Sequence, residues 1–250
     1  MLRFRHGAVE LAFLDEGEGE PIVLVHGFAS TAAVNWVHPG WFKTLKDDGR
    51  RVIALDNRGH GGSTKLYDPA LYHSAVMAQD VRALLDHLDL ARADVMGYSM
   101  GARITAFLAL ENPERLRGAV LGGLGGHLIE GVGIPPTVAD ALEAPSLAAV
   151  ADPAGRTFRI FAEQTKSDLR ALAACVRGSR QTLSRDEIAA IRIPALVAVG
   201  SRDPIAGSAT ELAGLLPSGQ ALEIPGRDHM TAVGDKVFKQ GVLSFLRARP

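Results

Sequence analysis

The sequence predicts an α/β protein built on a mostly parallel, doubly wound sheet. Short apolar runs alternate along the chain with segments of helical periodicity, the pattern of doubly covered strands joined by helical crossovers. One strand-to-helix junction carries Gly97-Tyr98-Ser99-Met100-Gly101, a G-x-S-x-G between an apolar run and a helical one. With 250 residues the chain is within the range of one α/β unit and can bury a large core without covalent staples.

The first element is a hairpin at a sheet edge. Residues 2–5 precede Gly7, and Val9, Leu11 and Phe13 then alternate with other side chains. Residues 21–25 form a continuous apolar run, as expected of a strand covered on both faces. Runs of the same kind follow at 51–55, 93–96, 116–121, 194–199 and 221–224. Helical segments lie between most of them. Residues 71–88 place Val76, Val81, Leu84, Leu85 and Leu88 at helical spacing, and 102–110 and 233–246 are similar. The alternation fails over residues 126–191, which hold no convincing strand. That stretch is Ala-rich and helix-like, broken at Pro135-Pro136, at Pro145, at Asp152 to Gly155 and at Gly178. A structureless connection of that length would be unusual in a compact domain, so it is expected to be a small helical cap. Residues 1–125 and 192–250 then make the core.

Composition narrows the function classes. Formal net charge is -1 and no basic block occurs, which argues against nucleic acid or an acidic membrane surface as partner. No apolar run is long enough to span a bilayer. Behind Arg3 and Arg5 there is no apolar stretch of a signal peptide, so a cytoplasmic location is expected. The single cysteine, Cys175, cannot close an internal disulfide and follows Leu172-Ala173-Ala174 as a small buried hydrophobe would. The histidines are scattered, H-E-x-x-H is absent, and one cysteine cannot build a thiolate cluster, so no metal is expected. Asp56 to Ser63 is glycine-rich but fits neither the phosphate-loop nor the dinucleotide pattern, and no cofactor is expected. It reads as a braced turn in which Arg58 and His60 are structural donors.

The junction at Ser99 is the candidate for chemistry. A sharp turn from strand to helix would project the serine hydroxyl above the sheet, with Gly97 and Gly101 there because a side chain would clash. Such a serine needs a base, an orienting acid and an oxyanion hole. In this architecture the acid and then the histidine follow the serine in the chain. Asp203 lies just past the strand 194–199, where a turn aspartate is the alternative reading. The end of the preceding strand, Leu121 to Gly125, offers no carboxylate. Of eight histidines, His229 follows the last strand, precedes the last helix and lies downstream of both Ser99 and Asp203. Its neighbour Asp228 is expected to brace the loop. The backbone N–H of Met100, at the start of the helix, and that of Phe28, in the loop after residues 21–25, are the candidate oxyanion donors. His26 is expected to order that loop.

H-G-F at 26–28, D-N-R-G-H-G-G-S at 56–63, G-Y-S-M-G at 97–101, Asp203 and His229 together make the chain resemble the α/β-hydrolase superfamily over essentially its whole length. The resemblance implies an eight-stranded, mostly parallel sheet flanked by helices, with a small helical cap over the catalytic edge. It implies an acyl-enzyme mechanism with Ser99 as nucleophile, His229 as base and Asp203 as orienting acid. A serine at the elbow, where haloalkane dehalogenases and epoxide hydrolases carry aspartate, indicates acyl chemistry. The chain resembles small-capped carboxylesterases, lactonases and cofactor-free perhydrolases, whose shared triad leaves the substrate open. A small ester or lactone is the expected substrate; thioester hydrolysis, acyl transfer and a ligand-receptor role stay open. Phe28, Trp36, Met100, Phe158, Phe161 and Met230 are candidates to line an apolar pocket. Arg159 and Arg177 are candidates to attract a carboxylate.

Overall fold

The computed structural model describes residues 1–131 and 133–249 of the chain. Strand β3 (Glu20–Val25) shows how the apolar runs are used. Val23 and Val25 join the apolar cluster on one side of the sheet, and Ile22 and Leu24 join the cluster on the other. A period of two with both faces buried requires an unbroken apolar sequence.

The sheet has eight strands in the order β1-β2-β4-β3-β5-β6-β7-β8. Strand β1 (Leu2–His6) pairs antiparallel with β2 (Val9–Glu16), and β2 pairs antiparallel with β4 (Arg50–Leu55). From β4 onward the sheet is parallel: β3, β5 (Ala93–Tyr98), β6 (Leu116–Gly122), β7 (Ala195–Gly200) and β8 (Gly219–Ile224). The chain leaves β3 for β4 on one side and returns to β5 on the other. This reversal opens a crevice beyond the carboxyl ends of β3 and β5, where open α/β sheets bind ligands.

Helices α1 (Trp41–Asp47), α2 (Ser74–His87) and α3 (Met100–Glu111) follow the early parallel strands. The expected helix over 71–88 begins only at Ser74. Pro69–Tyr72 form a separate 3-10 turn capped by Asp68, and His73 is extended (φ -55°, ψ 135°) between the two. The buried stripe of α2 runs through Met77, Ala78, Val81, Leu84 and Leu85, while Val76 stays 38% exposed.

Between β6 and β7 the described residues hold helices and no strand: α4 (His127–Glu130), α5 (Thr137–Glu143), α6 (Pro153–Gln164), α7 (Leu169–Gly178) and α8 (Arg185–Ala190). Helix α5 packs on α6 and α7. Asp152, Asp168 and Ser184 cap α6, α7 and α8, each accepting from a backbone N–H of the first turn. Helix α8 packs against α3 and α9 (Ala209–Leu215), and α10 (Lys236–Ala248) completes the chain on the face of Trp36 and Trp41. Among the described residues no helix is long and apolar enough to cross a membrane.

Candidate active site

Three backbones converge at Ser99. A β-carbon on Gly97 would stand 2.1 Å from the Gly101 carbonyl oxygen, and one on Gly101 would stand 1.9 Å from that of Val25. Both positions therefore need glycine, and α3 crosses β3 and β5 at backbone distance. Ser99 itself is held at φ 54°, ψ -113°, a conformation costly for any side-chain-bearing residue. Its N–H donates to the Gly122 carbonyl at 2.8 Å, so β6 holds the turn in place.

The three residues expected to act together meet at hydrogen-bond distance. His229 Nε2 lies 2.9 Å from Ser99 Oγ, and His229 Nδ1 lies 2.7 Å from Asp203 Oδ2. Ser99 and His229 are buried and the Asp203 carboxylate is fully so. Asp203 combines both readings of its position: Oδ1 accepts from the N–H groups of Ile205 (2.8 Å) and Ala206 (3.1 Å), which leaves Oδ2 aimed at the histidine. The histidine loop is tied down twice. Asp228 accepts from the N–H groups of Met230 and Thr231 and from the Thr231 hydroxyl. The Tyr98 hydroxyl donates to the His229 carbonyl at 2.6 Å, and burial pushes its pKa well above the ordinary tyrosine value. Sequence reasoning missed Tyr98, because as the second residue of G-x-S-x-G it was a position of free identity.

The loop after β3 has committed most of its donors. Gly27 N–H donates to Asn35 Oδ1 (2.9 Å), Ala29 N–H to His60 Nε2 (3.2 Å) and Ser30 N–H to the Gly27 carbonyl (3.3 Å). Among the described residues, the N–H groups of Phe28 and Met100 have no acceptor. Met100 opens α3, so its N–H has no intrahelical partner. His26 orders the loop as expected: Nδ1–H donates to the Gly27 carbonyl and Nε2 accepts from Asn57 N–H. Burial lowers its pKa to about 4. Burial, with the neighbouring His26, takes His60 down to about 3, so both rings are neutral braces. Arg58 donates to Asp80 and to the Leu71 carbonyl, a structural role.

Two hollows meet at Ser99. The larger, about 210 Å³, is lined among others by Val34, Pro39, Phe158, Phe161, Met230 and Val233. The smaller, about 50 Å³, is lined among others by Met100, Arg103, Leu124, Val176, Ser179, Arg180 and Ile205 beside Phe28 and Ser99. Trp36 is a correction: it lines neither. The π-helical turn Ala33–Val37 carries its ring beneath the pocket, fully buried and 6.2 Å edge-on from Trp41, while Val34 and Asn35 face the site. Arg159 and Arg177 line neither hollow. Arg159 is buried and donates to the carbonyls of Ala141, Leu142 and Ala144, where it closes the end of α5. Arg177 pairs with Glu143 and Asp140. Arg103 and Arg180 went unnoticed, although Arg103 stands four residues from Ser99, one turn along the same helix. Cys175 is buried against Met100, sulfur to sulfur 3.6 Å, and burial pushes its thiol up to about 12. Among the described residues no three His, Cys, Asp or Glu side chains gather as metal ligands would.

Comparison with known proteins agrees with the fold. Residues 20–130 match a family model described as the alpha/beta hydrolase fold. A Mycobacterium tuberculosis protein described as a candidate non-heme bromoperoxidase (BpoC) is 30% identical over 89% of this chain and 91% of its own length. The dihydrolipoyllysine-residue acetyltransferase component of the acetoin cleaving system of Pseudomonas putida is 33% identical over 92% of this chain, which spans 64% of that protein's length. Among solved structures, the enol-lactonase from Burkholderia xenovorans LB400 superposes with a TM-score of 0.82 at 24% identity, covering 98% of this chain and 100% of that one. At that identity the likeness is one of fold.

Proposed function

The chain belongs to the α/β-hydrolase family, and from that premise we propose that it is a serine hydrolase cleaving small carboxylic esters through an acyl-enzyme. The observation that carries the proposal is the unbroken chain of hydrogen bonds from Ser99 through His229 to Asp203. Ser99 Oγ attacks the ester carbonyl carbon as His229 Nε2 takes its proton. The Asp203 carboxylate holds the proton on Nδ1 and stabilises the imidazolium. The carbonyl oxygen becomes an oxyanion held by the N–H groups of Phe28 and Met100, two donors without a partner of their own. His229 returns the proton to the departing alcohol. Water, deprotonated by the same nitrogen, then releases the acid and restores Ser99.

The helices of residues 126–191 serve as a cap that shapes the acyl pocket, with Phe158 and Phe161 as its apolar wall and Met230 at its rim. Phe158 also packs on Phe28, ring centres 5.8 Å apart, which ties cap to oxyanion loop. A lactone is the second reading of the substrate, since ring opening uses the same acyl-enzyme; the partner in either case is a small molecule, and no cofactor takes part. Hydrolysis of p-nitrophenyl esters from acetate to decanoate tests the proposal. The expected outcome is turnover with a preference for short acyl chains, abolished in Ser99→Ala. Equal rates in both proteins, or none in either on esters and lactones alike, would refute it.

A further inference from the structure

The ester chemistry just described makes no use of Arg103 or Arg180. Arg103 lies one turn along α3 from the nucleophile, with its N–H bonded to the Ser99 carbonyl at 3.1 Å. Residues four apart share a helix face, and helical side chains lean toward the N-terminus, here toward Ser99. The side chain is buried, and Nη1 donates to the Gln181 carbonyl. Arg180 follows α7 on the cap side and donates through Nη1 to the Ile134 carbonyl. Both line the hollow of about 50 Å³ that opens on Ser99.

The pair differs from Arg58, Arg159 and Arg177 in its missing acid. Each of those three pairs with a carboxylate. Among the described residues, Arg103 and Arg180 have backbone carbonyls as their acceptors and no acidic side chain within ion-pair distance. Burial, and then the charge of Arg180, lowers Arg103 to about 10, so it remains cationic at neutral pH. Two like charges, one of them buried, are a poor arrangement without a counter-ion. Each guanidinium still has N–H groups to give, in the planar fork that matches a carboxylate. Met100, Leu124, Ile134, Val176 and Ile205 give the hollow apolar walls beside Ser179 and three glycines, and a charged contact against apolar walls is stronger than one in water. On the measure by which one water needs about 10–15 Å³, this hollow admits a carboxylate-sized group and no ring.

We propose that the small hollow is a carboxylate subsite: the physiological substrate is an ester or lactone bearing a second, free carboxylate, which Arg103 and Arg180 hold beside Ser99 while the apolar hollow takes the rest. The inference rests on Ser99 being the acyl nucleophile. It also places a short span between the free carboxylate and the scissile carbonyl, because one helical turn rises only about 5.4 Å.

The test compares each anionic ester with its methyl-capped, neutral twin. On the acyl side the probes are p-nitrophenyl monoesters of glutaric, adipic and suberic acid; on the alcohol side, 6-acetoxyhexanoate. The expected result is a kcat/KM ratio of free acid to capped ester of about 10 or more for at least one pair, the worth of one charge-assisted hydrogen bond. Arg180→Gln, at a half-buried position, brings that ratio down about 10-fold or more toward unity. Arg103→Gln does the same. Should that buried change fail to fold, Arg103→Lys keeps the charge without the fork and gives an intermediate ratio. A wild-type ratio at or below one for every pair, or a ratio unmoved by these variants, overturns the inference. If the capped esters are still hydrolysed and Ser99→Ala abolishes this, the subsite alone has failed. If capped-ester hydrolysis survives Ser99→Ala, the serine-hydrolase reading has failed and the subsite falls with it.

Discussion

Tyr98→Phe isolates one hydroxyl. The ring stays, and with it the packing on His229, 5.4 Å between ring centres, and on Phe238. What is lost is the 2.6 Å hydrogen bond to the His229 carbonyl, at a residue only 6% exposed. A buried acceptor left without its donor costs about 1–3 kcal/mol. In a chain of this size each kcal/mol is worth about 2–4 °C, so Tm should fall by about 2–12 °C. The same carbonyl belongs to the residue whose ring meets Ser99. Displacements near 1 Å in a catalytic group cost about 100-fold, so kcat on p-nitrophenyl acetate should fall about 10- to 100-fold with KM little changed. Thermal denaturation and steady-state kinetics on the purified variant measure both. A Tm within about 1 °C of wild type together with kcat within about 2-fold would show that the hydroxyl does not position the histidine, against the reasoning from buried acceptors.

Asp203→Asn keeps an oxygen acceptor for the N–H groups of Ile205 and Ala206 but removes the charge behind His229. Ester turnover should drop about 10⁴-fold, and a small loss would mean that another acid orients the ring. Gly97→Ala sets a methyl 2.1 Å from the Gly101 carbonyl oxygen, an overlap no rotamer relieves. It should lower stability by more than about 4 kcal/mol or prevent folding, and a soluble variant with wild-type Tm contradicts the crossing geometry. His26 is buried neutral with its pKa lowered to about 4, whereas the unfolded chain takes up that proton below about 6.5. Its contribution to stability is therefore complete above pH 6.5 and is lost as pH falls from 6.5 toward 4, by about 3 kcal/mol. Urea midpoints for wild type should fall through that window more steeply than those of His26→Asn; parallel curves would refute the assignment.

The features legible in the sequence were those with a strict local cause. The central strands were visible because burial on both faces permits only apolar residues, as in Ile22 to Val25. The elbow glycines were visible because backbone crossing admits nothing larger. Ser99, Asp203 and His229 were found by their order along the chain and their places at strand ends. What stayed hidden depends on where a side chain goes after the backbone is set. Trp36 reads as a pocket aromatic until a π-helical turn sends it into the core beside Trp41. Arg159 and Arg177 read as surface charges able to meet a substrate, yet one closes a helix end and the other is paired. Tyr98 and Arg103 act across distances of sequence that no local pattern records, 131 residues for Tyr98 to His229 and 78 for Arg103 to Gln181.

The central claim is that Ser99 is a nucleophile activated by His229. A fluorophosphonate reports this directly, because the activated oxygen displaces fluoride and keeps the phosphonyl group. Intact mass and peptide mapping should find one phosphonyl group per wild-type chain, on Ser99, with none on Ser99→Ala and little on His229→Ala over the same interval. Labelling at a different residue, or labelling of His229→Ala as fast as wild type, would contradict the account.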